Sequence, residues 1–179
     1  LDARGLASWA PGDYGIVFTA DYDSTDANSG TPLNIRSVFA SDSAMAAVTL
    51  KQRYAYAPTW SPLGDQLAFH SDRGVAGATF IAVLDDATGA VTALTSGEDL
   101  DTSPAWSPDG QWIAFVSDQG GGSNELWKVR PDGSELQAIT LNTQTRGVAR
   151  LIYGRPEWTD ENDQIAVAMV DIDGGPNYT

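Results

Sequence analysis

A chain of 179 residues with 42% hydrophobic and 19% charged side chains has the apolar material for a real core and too little charge for a disordered tract. Its 24 acidic and 10 basic residues leave a net charge of −14, which repels phosphate backbones and anionic lipid and argues against nucleic acid as a partner. The absence of cysteine excludes disulfides, thiolate metal sites and cysteine nucleophiles, and no run of about 18 apolar residues is present, so membrane insertion is not expected.

The first residues, Leu1 to Gly5, carry no basic-then-apolar export signal, so any such signal lies outside this chain or has been removed. The phrase Trp9-Ala-Pro-Gly-Asp-Tyr-Gly-Ile-Val-Phe18 then opens a first repeat, with strands predicted at Gly15 to Ala20, Leu33 to Phe39 and Ala44 to Leu50. Between the first two of these lies the densest oxygen-ligand segment of the chain, with Asp21, Asp23, Asp26 and Asn28 inside ten residues. Hard oxygen donors at that density are what a calcium site needs, although no cofactor is expected from the sequence. The spacing departs from an EF-hand, because Asp26 stands where the turn glycine belongs and no Glu occupies the twelfth place. A solvated acidic insertion is the simpler reading.

A second repeat begins with Trp60-Ser-Pro-Leu-Gly-Asp-Gln-Leu-Ala-Phe69 and parses into strands at Tyr56 to Trp60, Gln66 to Ser71, Thr79 to Asp85 and Ala90 to Thr95, with Asp86 to Gly89 as a turn. His70, the single histidine, sits inside a strand beside Phe69, which favours a wall residue over a general base. The third repeat opens with Trp106-Ser-Pro-Asp-Gly-Gln-Trp-Ile-Ala-Phe115. Its strands are predicted at Thr102 to Trp106, Trp112 to Ser117, Glu125 to Arg130 and Glu135 to Leu141, separated by turns at Ser107 to Gly110 and Pro131 to Ser134. Gly120 to Ser123 reads as a hairpin tip, being too short and too closely flanked by strands to cradle phosphate. The fourth phrase, Trp158-Thr-Asp-Glu-Asn-Asp-Gln-Ile-Ala-Val167, leads into a strand at Gln164 to Val170 and a Gly-rich stretch, and the sequence stops at Thr179 with that repeat unfinished.

The four tryptophans are spaced 51, 46 and 52 residues apart, a period that fits a β-propeller blade and is too long for most solenoid repeats. The expectation is an all-β propeller of four-stranded antiparallel blades, about three and a half of them, in one segment with repeats at about 6–53, 54–99, 100–149 and 150–179. A blade buries its two apolar faces only by stacking on neighbours, so the ends of the array call for remaining blades or another subunit. At a fixed place in each repeat, Trp9, Trp60, Trp106 and Trp158 read as wedges between blades and not as a stacking platform for a ligand, whereas Trp112 and Trp127 fall outside that pattern. Asp21, Asp72 and Asp118 each stand twelve residues after their tryptophan. They form either a ring of carboxylates able to hold a cation or a set of loop-starting aspartates that accept hydrogen bonds from their own turns, the second being the plainer expectation.

The string Ser103-Pro-Ala-Trp-Ser-Pro-Asp-Gly-Gln-Trp-Ile-Ala-Phe-Val-Ser-Asp118 resembles, nearly residue for residue, the WD40-like (PD40) repeat of the TolB propeller domain, a repeat shared with tricorn-like proteases and with prolyl oligopeptidase and dipeptidyl peptidase relatives. Pro58 to Pro62 together with Ala68 to Arg73 is a second match, and the two cover Ala57 to about Thr140. The outer repeats depart from the pattern: Ala7 stands where the others place Pro two before the tryptophan, and Thr159-Asp160 replaces Ser-Pro. The resemblance implies a propeller, and such propellers are grafted onto signalling, transport and peptidase proteins alike. The leading expectation is a non-enzymatic protein-binding or scaffold module, periplasmic or extracellular, with a protein or peptide partner. The alternatives are the accessory propeller of a prolyl-oligopeptidase-like or dipeptidyl-peptidase-like serine peptidase whose catalytic domain lies outside this chain, and a structural subunit of an extracellular assembly. No nucleophile elbow, His-Glu-x-x-His helix or phosphate loop is present, so no catalytic residues are assigned.

Overall fold

The computed structural model describes residues 7–12, 15–21, 33–39, 42–47, 55–72, 78–119, 124–139, 150–161 and 164–171. Among them the chain is all-β, with no helix. Four strands come from the first repeat: β1 (Ser8–Trp9), β2 (Gly15–Asp21), β3 (Leu33–Phe39) and β4 (Asp42–Ala47). The second contributes β5 (Ala55–Trp60), β6 (Gln66–Asp72), β7 (Thr79–Asp85) and β8 (Val91–Ala93), and the third β9 (Thr102–Trp106), β10 (Ile113–Ser117), β11 (Glu125–Val129) and β12 (Gln137–Ala138). The fourth supplies β13 (Arg150–Trp158) and β14 (Ile165–Asp171). Each set forms its own antiparallel sheet with strands in chain order, so among the described residues the array is three four-stranded blades followed by a two-stranded one.

The core lies between blades. Side chains alternate across a strand, so a central strand that is apolar throughout feeds two interfaces at once. Leu67 and Phe69 of β6 join Val17 and Ile35 of the first blade, while Ala68 between them joins Trp106, Ile113 and Phe115 of the third. The third blade repeats the arrangement one step on, with Ile113 and Phe115 facing back and Ala114 and Val116 facing forward onto Ile152, Trp158, Ile165 and Val167. Each fully buried Phe or Ile in these layers contributes about 1.5–3 kcal/mol of transfer free energy.

The turn after each motif tryptophan is held by its own polar residues. In the third blade Ser107 Oγ donates to Asp109 Oδ1 (2.6 Å) and accepts from Trp112 N (2.9 Å), while Gly110 N closes on Ser107 O (2.9 Å) with φ of +69°. Ser61, Asp65 and Gly64 build the corresponding turn of the second blade. In the fourth, Thr159 takes the place of serine and accepts from Gln164 N at 3.3 Å, so the departure from Ser-Pro keeps the hydroxyl's accepting role. Successive turns also stack, since a Cβ on Gly110 would meet Pro62 Cδ at 3.6 Å and one on Gly64 would meet Pro11 Cδ at 3.6 Å.

The strands differ from expectation mainly at the rim. The fourth strands of the second and third blades are only Val91–Ala93 and Gln137–Ala138, shorter than Ala90 to Thr95 and Glu135 to Leu141, because an outermost strand has one neighbour and an exposed edge. The first blade's fourth strand is Asp42–Ala47, displaced toward the N-terminus from Ala44 to Leu50. Gly120 to Ser123 and the Gly-rich stretch after Asp171 lie outside the described residues.

Candidate functional site

The innermost strands β5, β9 and β13 lie side by side along the inner edge of the array, and each is broken by a bulge. In the second blade Ala57 and Pro58 together oppose Phe69, and in the third Ser103 and Pro104 oppose Phe115. The residue before proline takes a left-handed φ, +48° at Ala57 and +56° at Ser103, a strained choice for a residue with a Cβ. The fourth blade meets the same need with Gly154 (φ +80°), but it then inserts Arg155 before Pro156, so three residues oppose Val167.

That extra residue crosses the array. Arg155 Nη2 donates to the carbonyl of Pro58, two blades back, at 2.9 Å. Its Nε is buried and has no partner among the described residues. Burial lowers its pKa and the Glu157 charge partly offsets this, while a guanidinium stays protonated regardless.

His70 lies against the same inner strands. It pairs with Tyr56 across β5 and β6, and the two rings stack with centroids 5.3 Å apart. Its Nδ1 accepts the Ser103 N–H of the third blade at 3.3 Å, which leaves the ring proton on Nε2. Burial first and the Arg155 charge second push its pKa down to about 4, so the ring is neutral at physiological pH. It is a wall residue that ties the second blade to the third.

A second polar cluster joins those two blades at the linker between them. Asp118 Oδ1 accepts the N–H of Leu100 at 2.7 Å, so its carboxylate holds the incoming linker. The Asp101 side chain is buried, with hydrogen bonds to Ser117 and Thr95, and burial raises its pKa. Asp72 closes β6 opposite Thr79, and Asp21 closes β2 opposite Leu33. The other members of the calcium candidate, Asp23, Asp26 and Asn28, lie outside the described residues. Among the described residues, no three His, Asp or Glu side chains are grouped to hold a metal.

The motif tryptophans form a relay. Trp106 Nε1 donates to Thr59 O and Trp158 Nε1 to Ala105 O, each at 3.1 Å, so each indole reaches the carbonyl just before the tryptophan of the preceding blade. Trp60 packs on the first blade, but its Nε1 is buried without a partner among the described residues, and its backbone N–H donates to Ser8 Oγ at 3.3 Å. Trp9 departs from the expectation of a wedge and is 66% exposed, because each wedge packs on the blade before it and the described residues contain none before Trp9. Outside the relay, Trp112 carries Lys128 Nζ and Arg130 Cζ over its ring at 4.0 and 3.9 Å, and Trp127 packs into the core between the second and third blades.

Arg155 and Asp101 were not singled out from sequence. Arg155 had a signal, since the residue before the motif proline is Ala57 and Ser103 in the second and third repeats and a charged one only in the fourth.

The same architecture occurs in solved structures. The chain superposes on TolB from Agrobacterium tumefaciens with a TM-score of 0.66 at 24% identity, covering 91% of this chain and 59% of that one. For TolB from Acinetobacter baumannii the TM-score is 0.63 at 20% identity, over 96% and 41%. A prolyl endopeptidase structure matches with a TM-score of 0.61 at 14% identity, over 83% of this chain and 23% of that one. The chain thus spans about half the length of the two TolB structures. No curated protein matches it. The family model for the TolB beta propeller domain, PD40, matches residues 28–176, and with the repeat, the blades and the tryptophan relay this shows that the chain belongs to the PD40 TolB β-propeller family.

Proposed function

We propose that the chain is a non-enzymatic, protein-binding or scaffold propeller that works outside the cytoplasm and receives a protein or peptide partner at the inner edge of its blades. One observation carries the reading. Three ionisable groups altered by burial, His70, Asp101 and Arg155, all sit in contacts between blades. Such groups are where an enzyme holds its acid, base or nucleophile, and here they meet strand backbone and hydroxyls. Remaining blades or another subunit would cover the Trp9 face and complete the ring. Among the described residues no helix is long and apolar enough to cross a membrane.

The test is immobilised full-length protein titrated with short peptides, beside a hydrolysis assay on the same peptides. Saturable binding without turnover supports the reading. Peptide turnover, or no saturable binding from any peptide class, overturns it. A second reading, an accessory propeller gating a serine peptidase, draws on the fold shared with the prolyl endopeptidases, and an α/β-hydrolase sequence in the same reading frame would decide for it. A third, a structural subunit of an extracellular assembly, draws on the exposed Trp9 face.

A further inference from the structure

We propose that Arg155 and the free Nε2–H of His70 form a carboxylate-binding site at the inner edge of the blades, taking an acidic group of a peptide. The inference deepens the binding-module reading and rests on it. Arg155 is partly buried and has no ion-pair partner among the described residues, although the chain carries 24 acidic side chains and a net charge of −14. Glu157, two positions on, is exposed and acts on Arg155 only through space. A desolvated cation without a counter-ion is costly, and a ligand carboxylate is the group that offsets that cost.

The arrangement is held in advance of binding. The Pro58 carbonyl anchors Nη2 of the guanidinium at 2.9 Å and Nε is enclosed by protein, so the Nη1 edge, which has no hydrogen bond among the described residues, is the one a ligand would meet. The His70 ring is fixed by its stack on Tyr56 and by Ser103 N on Nδ1, so Nε2 is the donor face, and no hydrogen bond among the described residues occupies it. The strand geometry brings the two groups to one edge: Arg155 of β13 reaches Pro58 of β5, two residues from the Tyr56 ring on which His70 stacks, and Ser103 of β9, the strand between them, holds Nδ1. Arg155 exists at this point only because the fourth blade's bulge is one residue longer than the others. A planar, singly charged carboxylate suits the remaining guanidinium N–H edge and a neighbouring imidazole N–H, whereas the second charge of a phosphate is disfavoured by the strongly acidic chain.

The experiment follows the side-chain N–H signals of His70 and Arg155 by NMR in the full-length protein, the His70 signal being assigned by its loss in His70→Gln. The probes are acetate, an acetylated tripeptide with a free C-terminus, its C-terminal amide, and an amide carrying one Asp. Saturable shifts of both signals with the carboxylate probes, absent with the plain amide, are expected, and Arg155→Lys should weaken binding about tenfold. The stronger of the free C-terminus and the Asp side chain identifies the source of the carboxylate. Absence of a saturable shift from every carboxylate, or unchanged affinity in a folded Arg155→Gln, overturns the proposal. If Arg155→Gln does not fold, the wild-type titration and Arg155→Lys decide. A protein partner that still binds when all carboxylates fail overturns this site and leaves the binding-module reading standing.

Discussion

Replacing Trp106 by Ala probes the device that joins one blade to the next. The indole is 9% exposed and packs among Ala68, Ile81, Val83 and Leu94 of the second blade and Ile113, Phe115 and Val129 of its own. Truncating a buried Trp costs about 3–5 kcal/mol, and the change also strips Thr59 O of its donor, an effect of about 1–3 kcal/mol alone that overlaps the first. We expect a loss of about 4 kcal/mol, read as a lower denaturant midpoint at unchanged slope. Trp106→Phe, which retains most of the ring and loses the indole N–H, should cost about 1–2 kcal/mol. Trp9→Ala makes the matched control at the same repeat position, and with Trp9 66% exposed it should change stability by no more than about 0.5 kcal/mol. A Trp106→Ala effect below about 1 kcal/mol, or a Trp9→Ala effect in this chain equal to it, would refute the relay. If Trp9→Ala becomes costly only in a longer parent or an assembly, a further blade covers Trp9 there.

Other outcomes follow from the same geometry. His70 has its pKa lowered from 6.5 to about 4 in the fold, so the unfolded chain binds the extra proton between those values and stability must fall as pH drops through that window. At about 1.4 kcal/mol per unit the full effect is about 3 kcal/mol. Denaturation at pH 7 and 5.5 should show the onset, and a slope unchanged in His70→Gln would assign it elsewhere. For the segment holding Asp21, Asp23, Asp26 and Asn28, we expect millimolar calcium to leave the melting temperature unmoved. A calcium-dependent rise that Asp23→Ala abolishes would establish a site there. Residues 1–179 alone should self-associate in sedimentation as concentration rises, because the outer blade faces lack cover, and a species that stays monomeric at every concentration would contradict that.

Much of the fold was legible because the signals that set it are local. Ser-Pro-Asp-Gly at 107–110 specifies its own turn through Ser107 Oγ, Asp109 and a left-handed glycine, whatever lies around it. Ile113 to Val116 is apolar at every position, and only a strand covered on both faces tolerates that. Repetition did the rest, since four phrases at nearly constant spacing leave one architecture able to bury them.

The sequence by itself determined the repeat, the strand positions and the buried faces, because period-2 alternation and turn chemistry act over a few residues. Only the tertiary structure decided what each repeated residue touches. Trp9 and Trp106 occupy one place in the phrase, yet one is exposed and the other buried, because burial depends on the neighbouring blade and not on the phrase. The Asp118 carboxylate meets Leu100, 18 residues away, and Arg155 meets Pro58 across 97. Contacts over such separations come from the stacking of blades around an axis, which brings the inner strands together whatever their distance along the chain.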